Sequence, residues 1–385
     1  MKSSRNTSKQ EKSPHSQAHP HHTGRDRALA GKMRRQSLRE SFPTRHDAET
    51  DVSAAKPLPS LLSRTRLGTT LDALKTSLST AELATMTMLA FYALLGIVYS
   101  AQVAHGITLA AVDFGLISVM SILAMNEAND TRFQPLESAN APRFLAPARR
   151  LLLFPTLLIV YMQAPLYVPF VHPHDYDTLL ATLDKTLFGV SPTVWLYTYS
   201  HPIVTEILQA CYLLFFIIPL CLGIEFHRTK SDAVFRRYTA QFMIALYGSY
   251  LLYFCLPAIG PCFTVHDFAR TNTELPGIFF TETIRMIINN GSGAGTSLPH
   301  LTAHRNCMPS GHTIAAVVNI VCAFRFRSRY RWLVASICAG ILLSTVYLRY
   351  HHAVDVLAGL VLAPLFMLGI RSMQGFMRSR GFVSA

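Results

Sequence analysis

Two histidines stand in short motifs whose residue types suit anion binding and nucleophilic or acid–base chemistry. The first, His312, follows Pro309-Ser310-Gly311 at the start of an apolar run. Ser310 is a favourable N-cap residue, so the sequence predicts that His312 lies in the first turn of a helix. The free N–H groups and the dipole at a helix N-terminus attract anions such as phosphate.

The second histidine, His351, has Asp355 four residues after it. Residues four apart share one face of a helix, so we expect the Asp355 carboxylate to accept a hydrogen bond from Nδ1–H of His351. That bond would fix the tautomer and leave Nε2 free as a nucleophile or base. Two cations stand close by in sequence, Arg305 before the first motif and Arg349 two residues before His351.

The composition indicates that these motifs belong to a membrane protein. The 385-residue chain is 50% hydrophobic and only 15% charged, yet its formal net charge is +13. The low charged fraction argues against a nucleic-acid-binding module with a solvated surface. A positive mean hydropathy of +0.27 together with basic excess is typical of a membrane protein whose few charges lie in its loops.

Apolar segments follow one another closely after residue 82. They predict an all-α, polytopic membrane bundle of about eight transmembrane helices near 83–104, 106–125, 148–171, 207–226, 239–258, 311–326, 331–349 and 354–371. The predicted organisation is a disordered basic cytoplasmic tail, two accessory transmembrane helices, a membrane-embedded core of six helices and a second cytoplasmic tail, at 1–82, 83–145, 146–372 and 373–385.

The loop charges predict the orientation. With a cytoplasmic N-terminus, 30 of the 35 lysines and arginines fall on the cytoplasmic side and 5 on the other. This asymmetry fits the positive-inside rule, so we expect both termini in the cytoplasm and the histidine motifs at the non-cytoplasmic face. The membrane is then a bacterial inner membrane or a eukaryotic secretory-pathway membrane.

Four further residues carry expectations. Cys262 and Cys307 share an outer loop in an oxidising compartment, where a disulfide between them is possible but not required. Asp113, inside the second span, is interpreted as a buried polar contact between helices, with a proton path as the alternative. Asp184 lies in the long outer loop 172–206, and loops of that length are usually functional or disordered.

The motifs resemble those of the type 2 phosphatidic acid phosphatase superfamily. The resemblance rests on MPSGHT at 308–313 and on His-x-x-x-Asp at 351–355. Gly260-Pro261 and the outer-loop segment 183–196 resemble the inositol phosphorylceramide synthase-like branch. This resemblance implies that Asp184 and Trp195 belong to an interfacial outer-loop helix that covers the site. The resemblance covers about residues 150–370.

The resemblance implies a phosphohistidine mechanism on a lipid phosphate or phospholipid, with no cofactor and no metal. His351 would be the nucleophile, Asp355 would orient it, and His312 would protonate the leaving oxygen. The phosphoryl oxygens would contact Ser310 and Gly311.

Two departures from the phosphatase pattern bear on the activity. The lysine and arginine of the first phosphatase motif are Tyr253 and Gly260 here, and the arginine of the third is Thr345. Arg305 and Arg349 are the substitutes for the missing phosphate-binding cations. Loss of those cations favours a transferase over a plain lipid phosphate phosphatase and leaves both open. A lipid transporter is the competing class, although no internal repeat supports it.

Overall fold

The computed structural model describes residues 77–133 and 145–379. Residues 1–76 of the predicted N-terminal tail and residues 380–385 of the predicted C-terminal tail lie outside the described residues. In the described ranges all regular structure is helical, which confirms the predicted fold class. The thirteen helices of six or more residues there are α1 Thr80–Val98, α2 Gly106–Phe133, α3 Leu145–Leu151, α4 Leu153–Val171, α5 Asp177–Phe188, α6 Pro192–Tyr197, α7 Pro202–Leu213, α8 Ile217–Thr229, α9 Asp232–Tyr253, α10 Thr281–Gly291, α11 Gly311–Arg325, α12 Arg331–Tyr347 and α13 Ala353–Ser379.

The predicted count of eight spans is not confirmed, although each predicted segment coincides with helix. Four described stretches are long and apolar enough to cross a bilayer, Thr80–Val98, Gly106–Glu127, Pro147–Val171 and Ala353–Ser372. A fifth arises if α7 and α8, which meet at a 50° bend, form one broken span. The apolar helices α11 and α12 have only 15 and 17 residues. The described helices thus fit a multi-pass helical membrane protein, and the count of eight spans stays a prediction.

Helix α9 lies at the centre of the bundle. It packs against α1, α4, α8, α11 and α13, and its buried side chains include Phe242, Met243 and Leu246. A Cβ at Gly248 would lie 2.7 Å from the ring of Phe366, so the absent side chain lets α13 approach closely. This packing places the end of α9 beside the starts of α11 and α13.

Asp113 forms the predicted polar contact between helices. It is fully buried in α2, and its Oδ1 accepts a hydrogen bond from Nε2 of Gln163 in α4 at 2.6 Å. Burying an ionisable group at this depth costs free energy unless the group has a partner. The hydrogen bond to Gln163 therefore links α2 to α4.

Two charged side chains hold the long connection 258–310 in place, one from the bundle and one from within the connection. The carboxylate of Glu206 in α7 accepts hydrogen bonds from the N–H groups of residues 278–280. The guanidinium of Arg285 in α10 donates to the carbonyl oxygens of Thr271 and Leu275. The connection is therefore a structured cap over one end of the bundle, which we call the histidine end because His312 and His351 lie there.

Candidate active site

His351 lies in the connection between α12 and α13. Its Nδ1 is 2.9 Å from the carbonyl oxygen of Cys307 and 3.5 Å from Oδ2 of Asp355. The expected hydrogen bond to Asp355 thus gives way to a shorter one to the Cys307 carbonyl. The reason is that α13 begins at Ala353, so His351 precedes the helix and does not share its face with Asp355. The consequence for the tautomer is the same, because Nδ1 carries the proton.

His312 lies in the first turn of α11, as predicted. The Oγ atom of Ser310 accepts a hydrogen bond from the N–H of Thr313 at 3.3 Å, which confirms the predicted N-cap. The imidazole of His312 packs against Tyr212 and Phe215, with ring centroids 4.3 and 4.2 Å away. These two rings, from the end of α7 and the bend before α8, hold the imidazole in one orientation.

The two imidazoles face each other. Nε2 of His351 lies 3.4 Å from Nδ1 of His312. Nδ1 of His351 donates to the Cys307 carbonyl, so Nε2 of His351 is unprotonated and can accept a hydrogen bond. Nδ1 of His312 is therefore protonated and donates to Nε2 of His351. In this hydrogen-bond network an unprotonated nitrogen of His351 faces a protonated nitrogen of His312.

Asp355 acts on His351 through neighbouring groups. Its Oδ2 accepts a hydrogen bond from the thiol of Cys307 at 2.8 Å and another from the backbone N–H of His352 at 2.8 Å. Burial and the nearby carboxylate raise the pKa of the Cys307 thiol, so it is protonated and acts as the donor. The disulfide between Cys262 and Cys307 is not formed, because both are buried free thiols.

The start of α11 lies against a tyrosine. A Cβ at Gly311 would be 2.7 Å from the hydroxyl oxygen of Tyr253, so the glycine permits this close approach. Gly311 lines the cavity in front of the histidines, whereas Ser310 is fully buried behind it. Tyr253 stands where the phosphatase motif has its lysine, so a neutral phenol occupies that place. Phosphate binding by Ser310 and Gly311 stays a prediction.

Both arginines predicted to bind phosphate are paired with carboxylates. Nε of Arg305 lies 2.8 Å from Oδ1 of Asp175. Arg349 is fully buried, with Nη1 2.6 Å from Oε2 of Glu274 and the guanidinium over the ring of Tyr197. The hydrogen bond from Arg349 lowers the pKa of Glu274. Neither arginine is among the described residues that line the cavity, so their phosphate-binding role also stays a prediction.

The cavity wall is aromatic and neutral. Its described lining contains no lysine or arginine. A third histidine, His304, joins His312 and His351 there, but burial lowers its pKa to about 4 and leaves it uncharged at pH 7. Apart from the thiols of Cys262 and Cys307, the polar side chains that remain are Tyr161, Tyr212, Tyr250, Tyr253, Asn289, Ser292, Asn306 and Tyr350. Hydrogen-bond donors without permanent charge therefore surround the two imidazoles.

His352 lies between two carboxylates of α5. Its Nε2 is 3.6 Å from Oδ1 of Asp177, and its Nδ1 is 3.6 Å from Oδ2 of Asp184. Burial alone would lower the pKa of His352, but the two carboxylates outweigh it and raise the pKa to about 9. His352 is therefore a buried cation at pH 7.

The same carboxylates hold the backbone around the site. Asp184 accepts hydrogen bonds from the first two N–H groups of α13, at 3.0 and 2.9 Å. Asp177 accepts from the N–H groups of residues 259–260, at 2.9 and 2.7 Å. Helix α5 thus fixes the His351 connection and the turn before Pro261 relative to each other. In the predicted covering segment, Asp184 is buried in this network, while Trp195 of α6 is 52% exposed.

The charge on His352 makes stability depend on pH. Its pKa is about 9 in the folded protein and near 6.5 in an unfolded chain, so its contribution is complete below about pH 6.5 and is lost as pH rises through 9. A pKa difference of this size corresponds to about 3 kcal/mol in the free energy of unfolding. We expect the melting temperature of the wild type in detergent to exceed that of His352→Gln at pH 6 and to converge on it by pH 9.5. A difference that stays constant with pH would contradict this.

Parts of the site that lie outside the motifs were not predicted. Tyr212 and Phe215, which clamp His312, carry no signal that separates them from other aromatics in an apolar helix. Asp177 carries a faint one, because it precedes Asp184 by seven residues, which places two acids on one face of α5. Their partner His352 is recognisable only once the helices are assembled.

Comparison with known protein families gives a match over the region that contains this site. The family model described as PAP2 superfamily matches residues 177–368. Comparisons with curated proteins and with solved structures find no match. The matched range begins at the first residue of α5 and extends into α13, and it includes His312, His351 and the carboxylates that position them. Residues 177–368, which contain both histidines and all of the cavity's described lining except Tyr161, therefore match the PAP2 superfamily.

Proposed function

We propose that this protein is a membrane enzyme that cleaves or transfers the phosphate-bearing headgroup of a lipid through a phosphohistidine on His351. The observation that carries the proposal is the 3.4 Å approach of His351 Nε2 to His312 Nδ1 in a buried cavity. The membrane helices and the PAP2 superfamily match support a lipid phosphatase-type activity.

The proposed reaction has two displacements. Nε2 of His351 attacks phosphorus, and the bond from phosphorus to the leaving oxygen breaks. In the substrate complex His312 is an imidazolium beside the anionic phosphate, so it gives the leaving oxygen its Nδ1 proton and becomes a neutral imidazole. His312 then takes the proton of an acceptor hydroxyl, whose oxygen attacks phosphorus and breaks the bond to His351. Positioning and hydrogen-bond donors stabilise the transferring group. Both histidines return to their starting protonation states.

An apolar crevice supports a lipid substrate. It is lined by side chains of α4, α8 and α9, and it shares Tyr161, Phe215 and Tyr250 with the histidine cavity. The remaining lining is apolar and includes Leu157, Phe216, Pro219 and Leu246. A substrate with its phosphate at the histidines can therefore place an acyl chain between these helices.

The uncharged cavity wall favours transfer between lipids over release of inorganic phosphate. A phosphomonoester carries up to two negative charges near pH 7, and a phosphodiester carries one. A wall without lysine or arginine stabilises a second charge poorly, since an unpaired buried charge is costly. We therefore infer a phosphodiester donor and a lipid hydroxyl acceptor, resembling inositol phosphorylceramide synthase-type enzymes. A simple lipid phosphate phosphatase is the second candidate.

Product analysis tests the proposal. Purified protein is incubated with ³²P-labelled phosphatidic acid, polyprenyl phosphate and phosphodiester lipids, with and without long-chain alcohols and ceramide. We expect label in a new lipid that forms only when both a phosphodiester lipid and an acceptor are present. Free phosphate from a monoester in the absence of acceptor would favour the phosphatase. Wild-type protein that releases neither product would contradict the enzyme assignment.

Metal independence is a separate prediction. The donor atoms of Cys307, His351 and Asp355 lie within 4.8 Å of one another, close enough to share one ion. In the proposed mechanism the Cys307 thiol is protonated and donates to Asp355, so the cluster works as a hydrogen-bond network. We expect exhaustive treatment with a membrane-compatible chelator to leave turnover within about twofold of the untreated enzyme, since no step calls on a Lewis acid. Loss of turnover that added Zn²⁺ restores would show that this trio is a metal site.

A further inference from the structure

A second binding site is suggested at the end of the bundle opposite the histidines. A groove of about 740 Å³ runs between α8 and α12. Its walls are mainly aliphatic, with Leu214, Ile217, Leu222, Leu333, Val334 and Ile337 among them. It shares no residue with the histidine cavity or with the apolar crevice beside it.

The mouth of the groove is positively charged. Arg228 and Arg329 line it and are exposed, and neither forms an ion pair with another described residue. The carboxylate in the lining, Glu225, is 8% exposed and already accepts hydrogen bonds from the Ser328 hydroxyl at 2.5 Å and the Arg329 N–H at 2.9 Å. Two guanidiniums therefore stand available for an anion at the open end of an aliphatic channel.

An aliphatic channel with a cationic mouth suits a ligand that has an apolar chain and an anionic group. We propose that the groove binds a single anionic phospholipid, with an acyl chain along α8 and α12 and its phosphate between Arg228 and Arg329. The site lies at the end that the loop charges predict to be cytoplasmic, where anionic lipids attract basic residues. The chain's own N-terminal tail fits poorly, because residues 1–82 contain 15 lysines and arginines against 8 acids.

A lipid bound in this groove would contact the segment that positions His312. The inner end of the groove is formed by Leu214, Ile217 and Ile218, at the bend between α7 and α8. Phe215, in the same bend, packs on the imidazole of His312. An acyl chain in the groove therefore packs against the residues on either side of this aromatic contact.

Lipid retention measured by native mass spectrometry tests the site. Full-length protein in detergent is titrated with phosphatidylglycerol or phosphatidylcholine. Two arginines near an anionic headgroup favour it by about tenfold or more, so we expect one phosphatidylglycerol to be retained with that preference. The double variant Arg228→Gln/Arg329→Gln should bind both lipids about equally. The matched control Arg325→Gln/Arg331→Gln removes the same charge at the same end, outside the groove, and should keep the preference.

Two more variants locate the bound lipid. Ile337→Trp fills the groove and should reduce retention of either lipid severalfold, whereas His351→Gln alters the distant cavity and should leave retention unchanged. The proposal is overturned if Arg228→Gln/Arg329→Gln keeps the wild-type preference, or if the control pair loses it equally. It is also overturned if a second copy of the chain, seen as a dimer that Ile337→Trp abolishes, occupies the groove in place of lipid.

Discussion

Replacement of His351 by glutamine is expected to lower turnover of the preferred lipid by at least about 10⁴-fold, because no other described side chain can form the covalent intermediate at that position. Glutamine preserves polarity and approximate size next to the Cys307 carbonyl, so the fold should survive. The melting temperature and the elution volume of the variant should match those of the wild type.

The intermediate itself provides a sharper measurement. Wild-type protein quenched during turnover of a ³²P-labelled lipid should carry label that is stable in base and labile in acid, as a phosphoramidate is. His351→Gln should carry none. His300→Gln, which changes an exposed histidine in the connection 258–310, should label and turn over like the wild type. Normal turnover by folded His351→Gln protein would show that another group is the nucleophile.

Replacement of His312 by asparagine should have the second largest effect, a loss of about 10²- to 10⁴-fold, the range that general acid–base catalysis contributes. The size of the loss should depend on the leaving group. A lipid alkoxide needs the Nδ1 proton of His312, whereas 4-nitrophenolate leaves without protonation. We therefore expect an alkyl 4-nitrophenyl phosphate to phosphorylate His312→Asn protein at a rate within about tenfold of the wild type.

The second displacement should then become limiting in this variant. His312 also accepts the proton of the incoming hydroxyl, so the phosphohistidine of His312→Asn should form and persist. The measurement is a burst of nitrophenolate equal to the enzyme concentration, followed by slow turnover. A loss that is the same for alkyl and nitrophenyl leaving groups, with no burst, would show that His312 positions the substrate and does not transfer the proton.

Features that depend on neighbours in sequence were predicted correctly. The cap at Ser310 and the placement of His312 in the first turn depend on four or five consecutive residues, so local propensity determines them. The helical membrane class follows from apolar segments, which must satisfy their backbone hydrogen bonds internally. The number of spans stays a prediction, because an apolar run shows burial from water but not whether lipid or other helices surround it.

Contacts between distant segments were decided only by the tertiary structure. Nδ1 of His351 bonds the carbonyl of Cys307, 44 residues away, because α13 starts two residues later than the motif suggests. Arg349 pairs with Glu274 over a separation of 75 residues, although its place beside the motif predicted a phosphate ligand.

The sequence by itself determined the chemical groups of the site: two imidazoles, a carboxylate and the helix start beside them. The tertiary structure decided which atoms those groups present to each other and which cations carboxylates already neutralise. The clearest case is Asp184, which caps α13 from 169 residues away in the chain. The physical reason is that hydrogen-bond partners and burial depend on packed helices, and residue type and spacing specify neither across such distances.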